Sequence, residues 1–145
     1  MASTVAPPLT AFSAGVREVP LWRLYVLRAM YAFIVLGLGA MILPVILDHE
    51  LTSRGVIPSL LGAVWLLSLL GLRYPLQMLP ILLFELAWKA IWMIFFGLPQ
   101  WSAGEYPPTF AEDMFNIAFG AVLLLVIPWG YVWRHYVAKP GERWR

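Results

Sequence analysis

Glu85 and Lys89 stand four residues apart in an otherwise apolar stretch, Leu82-Leu83-Phe84-Glu85-Leu86-Ala87-Trp88-Lys89-Ala90-Ile91-Trp92. On a helix, positions i and i+4 share a face, and an acid placed N-terminal to its base is the better orientation for a pair. An ionised side chain at the centre of a hydrocarbon layer costs about 2.5–3.5 kcal/mol on insertion scales, so such groups turn toward a bundle interior or a wet cavity and find partners. Two uses fit equally well. One is a pocket or proton-linked site in which Glu85 acts as acid or base with Lys89 as its partner. The other is a mutually neutralised pair that fixes helix packing or contacts another subunit.

Trp88 and Trp92 repeat the same spacing on an adjacent strip and, with Phe84, Phe95 and Phe96, have the chemistry to wall an apolar pocket or face a cation. Packing against lipid or a neighbouring helix is the commoner use of such a stripe. Arg28, with Tyr31 one turn on, has three candidate partners: a phosphate headgroup, a partner carboxylate, or Glu85 itself. The ligand-pocket candidates are therefore Glu85, Lys89, Trp88, Trp92 and Arg28. Asn116 offers a hydrogen bond across a helix bundle. No spacing identifies a catalytic, cofactor-binding or metal-binding residue, and a non-enzyme is favoured over an enzyme. The only histidines are His49 and His135, and there is no cysteine, which excludes thiolate metal sites, disulfide relays and covalent haem attachment through thiols. No cofactor is evident; a quinone or a lipid is compatible with an apolar pocket.

The surroundings of these residues decide the class of protein. Of 145 residues, 61% are hydrophobic and 12% charged, and the mean hydropathy is +0.77. Soluble domains average about 45–50% apolar and about 25% charged residues. One small core cannot hide this excess, so a soluble globular domain, a disordered chain and a nucleic-acid-binding module are excluded. Four apolar runs, at about 21–47, 56–72, 75–98 and 114–133, approach or reach the roughly 20 residues that cross a hydrocarbon core of about 30 Å. They do not alternate as barrel strands do. Residues 1–20 lack a signal peptide's pattern and read as an N-terminal tail, and 134–145 as a basic, aromatic tail suited to an anionic membrane surface.

The flanks alternate in sign. Arg17, Arg23 and Arg28, against Glu18, stand before or in the first turns of the first run, and Asp48 and Glu50, against Arg54, follow it. Arg73 follows the second, Glu105, Glu112 and Asp113 precede the fourth, and Arg134, Lys139, Arg143 and Arg145 close the chain. The positive-inside rule then places both termini in the cytoplasm. The expectation is an all-α, integral membrane four-helix bundle, up-down-up-down, in the bacterial inner (cytoplasmic) membrane. Pro44, Pro80 and Pro128 are expected to kink or interrupt their helices. Small pairs, Gly37/Gly39, Gly62/Ala63 and Gly120/Ala121, mark places for close helix approach.

Four spans in this length, an arginine in the first helix and a Pro-rich start to a third helix reading Leu83-Phe84-Glu85-Leu86-Ala87-Trp88-Lys89-Ala90-Ile91-Trp92 resemble the small bacterial DoxX-like membrane proteins. The resemblance covers the helical core. It implies a four-helix membrane fold and, by way of some members, a link to quinone-dependent sulfur oxidation or oxidative-stress complexes. It transfers no catalytic residue. Three functions follow as expectations. The first is a non-catalytic subunit or scaffold of a membrane complex, the favoured reading. The second is a binding or transport protein for a lipid, quinone or other apolar molecule at Glu85 and Lys89. The third is a small enzyme acting on a lipid-like substrate. The expected partners are the lipid bilayer, other membrane subunits or further copies of the chain, and no nucleic acid.

Overall fold

The computed structural model describes residues 19–48 and 55–141. The N-terminal tail before Val19, the loop carrying His49, Glu50 and Arg54, and the terminal Arg143 and Arg145 lie outside the described residues. Among those described, all regular structure is helical. Helix α1 runs Leu21–Leu47, α2 Val56–Arg73, α3 Leu79–Ala103, α4 Phe110–Val126 and α5 Trp129–Val137.

The prolines act according to where they fall in a helix. Pro44 lies in the last turn of α1, which carries on to Leu47, and its carbonyl accepts the Asp48 N–H at 2.9 Å. Pro80 occupies the first turn of α3, where its missing donor is not needed; α3 accordingly starts at Leu79, after a turn over 75–78, instead of at Pro75. Pro99 would break a regular helix, but a wide π-turn at Met93–Gly97 precedes it and α3 continues to Ala103, beyond the expected end at Leu98. Gly104, at φ 71°, then ends the helix in the left-handed conformation that glycine adopts without a Cβ clash. Pro128 is the true break. Ile127 before it is extended (φ −63°, ψ 125°), as a residue preceding proline prefers. The expected fourth run therefore splits: α4 starts at Phe110 and stops at Val126, and α5 leaves at 73° to it.

Helices α1 and α2 pack most closely. A Cβ on Gly71 would overlap the Tyr31 ring, one on Gly39 the Trp65 indole, and one on Gly62 the tip of Ile46. As these partners rise along α1 they fall along α2, so the two helices run antiparallel. Trp65 Nε1 donates to the Val35 carbonyl at 3.0 Å, a cross-helix bond on a residue whose sequence context carried no signal. Tyr31, fully buried, donates its hydroxyl to the Pro75 carbonyl at 3.2 Å and so ties α1 to the α2–α3 turn.

The buried core lies at one end of the molecule. Leu24 and Leu27 from the start of α1 meet Leu79 and Leu82 from the start of α3, and Leu123 and Ile127 from the end of α4. Elsewhere the helices show apolar side chains outward, among them Leu36, Phe95 and Leu125. Of the most hydropathic window in α1, α2 and α3, only 17%, 17% and 22% of residues are buried. A bundle made for water places polar residues on that outer face. Helices α1, α2 and α3 are each long and apolar enough to cross a membrane, and α4 with α5 makes a fourth if the bent pair counts as one span.

Candidate functional site

Ten residues into α3, Lys89 lies about 15 Å along the axis from Leu79. Its Nζ donates to Glu85 Oε2 at 2.5 Å, and the two residues are each 8% exposed. The i,i+4 spacing delivers both side chains to one face, and α4 then holds them there. A Cβ on Gly120 would lie 3.1 Å from Lys89 Cδ, so the absence of a side chain lets the α4 backbone press on the lysine stem. The Lys89 ammonium also sits 4.0 Å from the centroid of the Trp88 ring. One carboxylate and one π face thus hold the charge in an apolar setting.

The pair opens onto a groove of about 360 Å³ between the helices. Phe33 and Gly37 of α1, Leu61 of α2, and Asn116 and Phe119 of α4 face it together with Glu85, Trp88 and Lys89. Phe33 and Phe119 bridge α1 to α4 with ring centroids 5.1 Å apart, and Phe115 meets Phe119 edge-on at 5.3 Å. Gly37 has no atom within 4 Å of where a Cβ would be, so the groove is open beside it.

Of the expected candidates, Glu85, Lys89 and Trp88 come together here, and Trp92 and Arg28 do not line the groove. The Trp92 ring lies over Gly97 in the π-turn and 6.4 Å from Phe110, toward the far end of the molecule. Arg28 Nε donates to the Leu72 carbonyl at 3.2 Å, and its guanidinium lies 5.8 Å from the Tyr25 ring centroid. Asn116 makes no side-chain hydrogen bond across the bundle among the described residues and lines the groove instead. Phe33, Gly37 and Phe119 were not legible as site residues in the sequence, because nothing in their type distinguishes them from packing.

The chemistry on offer is recognition of a polar group inside an apolar cleft. An ammonium has three donors and an ionised carboxylate accepts at both oxygens. The single bond between Lys89 and Glu85 leaves capacity on each, and the Asn116 amide adds a donor and an acceptor. Among the described residues no group of three or more His, Asp or Glu side chains is arranged to hold a metal ion.

No family model matches the chain, and searches of curated proteins and of solved structures gave no match.

Proposed function

We propose that this chain is a small integral protein of the bacterial inner membrane whose groove binds an apolar molecule, lipid-like or quinone-like, by a hydrogen-bonding head held at Glu85 and Lys89. In this reading α1 to α4 cross the bilayer up-down-up-down, with both termini cytoplasmic and the Glu85–Lys89 pair near the midplane. The role is binding without catalysis, on its own or within a larger membrane complex.

One observation carries the proposal: an acid and a base, each 8% exposed, line a largely apolar groove of about 360 Å³. Small-molecule sites occupy about 300–1,000 Å³ and are mostly apolar with a few placed polar groups. A pair that served packing alone would be sealed between helices. Charge placement supports the membrane setting. Among the described residues, every cation except Lys89 flanks the same helix ends: Arg23 and Arg28 at the start of α1, Arg73 at the end of α2, Arg134 and Lys139 in and after α5. Asp48, Glu105, Glu112 and Asp113 flank the opposite ends. This is the asymmetry that cytoplasmic and external faces impose.

The test is native mass spectrometry of the protein gently extracted from its own membrane, comparing wild type, Glu85→Gln and Gly37→Leu. Gly37→Leu fills the groove where there is open space, leaving the pair intact. The expected result is a lipid- or quinone-sized adduct on wild type whose occupancy falls about tenfold in both variants, the scale of one charged hydrogen bond. A wild-type protein without any adduct overturns the proposal. An assembly that dissociates in Glu85→Gln but is untouched by Gly37→Leu makes the pair an assembly element and favours the subunit reading.

A further inference from the structure

Helix α4 has 17 residues, about 26 Å of rise, so it nearly crosses a hydrocarbon core without help from the segment that follows. After the break at Ile127 and Pro128 the chain turns by 73° and α5 lies across the end of the bundle. It is packed down there: Val132 and Ile127 are buried in the same cluster as Leu24, Leu27 and Leu79. Its other face is aromatic, with Trp129, Trp133 and Tyr136 all well exposed. Trp22 and Tyr25 at the start of α1 and Tyr74 after α2 are exposed at the same end.

Cations gather at this level, and three of them lie against those rings. The guanidinium carbon is 5.7 Å from the Trp22 centroid for Arg23, 5.8 Å from Tyr25 for Arg28 and 5.5 Å from Tyr74 for Arg73. Arg23 Nε is a buried donor with no partner among the described residues. The guanidinium fork matches phosphate geometry, so arginines at this level suit phosphate oxygens.

We propose that this end of the molecule is a docking surface for the headgroups of an anionic phospholipid leaflet, with α5 lying in the plane of the interface and Arg23, Arg28, Arg73, Arg134 and Lys139 facing lipid phosphates. The inference rests on the membrane setting proposed above and is independent of the groove. Charge complementarity selects an anionic surface. The exposed Trp and Tyr side chains at the level of the cations select a lipid interface over an acidic protein, because amphipathic rings partition to the headgroup region. A helix turned by 73° from a span has the direction an in-plane helix needs.

The experiment places the full chain in nanodiscs of phosphatidylcholine with a minority of phosphatidylglycerol, extracts it gently and measures the ratio of the two lipids retained. Wild type is expected to retain phosphatidylglycerol well above its share of the bilayer. In Arg134→Gln/Lys139→Gln, two exposed positions whose replacement leaves the core intact, enrichment is expected to fall about fivefold for each cation that faces the headgroups. Raised salt should weaken the exposed contacts in wild type by screening. Lipid retained in the bilayer's own proportion, or enrichment unchanged in the double variant, overturns the proposal. Capture of a polyglutamate peptide by wild type without phosphatidylglycerol enrichment also overturns it and assigns the surface to an acidic protein partner. Loss of the groove adduct with enrichment intact would fail the groove reading alone.

Discussion

Removing the Glu85 carboxylate leaves the Lys89 ammonium facing an indole and hydrocarbon. Breaking a buried pair from one side costs about 3–5 kcal/mol, whereas replacing both charges by apolar groups is often neutral. For Glu85→Gln the loss is expected near the lower value, about 3 kcal/mol, because the pair borders an open groove. Glu85→Gln/Lys89→Met should recover most of it. Thermal unfolding of the two single variants, the double variant and wild type in one detergent gives the coupling energy directly; additive losses would show that the two groups do not act as a pair. The pair was legible in the sequence because charge inside an apolar run is rare and i,i+4 adjacency is local. Membership of the groove was not. Trp92 shares Trp88's spacing, yet it lies one turn farther along, where its ring covers Gly97. Arg28 donates its Nε to the Leu72 carbonyl, forty-four residues away in sequence, which no local pattern reports.

At the scale of elements, glycines and prolines of the same type do opposite things, and position decides which. Gly71 and Gly37 make the sharpest contrast. Gly71→Ala puts a methyl group into the ring of Tyr31, and overpacking of that kind costs about 1–3 kcal/mol. Tyr31→Phe, which leaves the Pro75 carbonyl without its donor, should cost about 1 kcal/mol. Gly37→Ala meets open space and should be neutral or stabilising by up to about 1 kcal/mol from helix propensity. Unfolding midpoints in a common detergent rank the three variants; equal midpoints for Gly71→Ala and Gly37→Ala would remove Tyr31 from its place against α2. Helix positions were readable from the apolar runs, including the end of α1 at Leu47 and the start of α2 at Val56. The ends of α3 and α4 were not, because they depend on how each proline is absorbed. Pro80 lies where no donor is needed, Pro99 is relieved by a π-turn, and Pro128 alone ends a helix. A run of apolar residues looks the same through all three.

For the whole molecule the question is which way the sorted charges point and whether α4 makes a fourth crossing. The chain contains no cysteine, so a single introduced thiol reports its own side of the membrane without background. Glu105, between α3 and α4, and Gly141, after α5, are both exposed and stand on opposite sides of α4 in the chain. In spheroplasts treated with a membrane-impermeant maleimide, Glu105→Cys is expected to label at once and Gly141→Cys only after permeabilisation. That outcome follows from the positive-inside rule applied to Arg23, Arg28, Arg73, Arg134 and Lys139 against Asp48, Glu105, Glu112 and Asp113. The reverse outcome would put the basic end outside and move the lipid-docking surface to the outer leaflet. Labelling of both positions from one side would mean that α4 does not cross. The protein would then have three spans, and the groove that α4 closes over Glu85 and Lys89 would lose its wall within the bilayer.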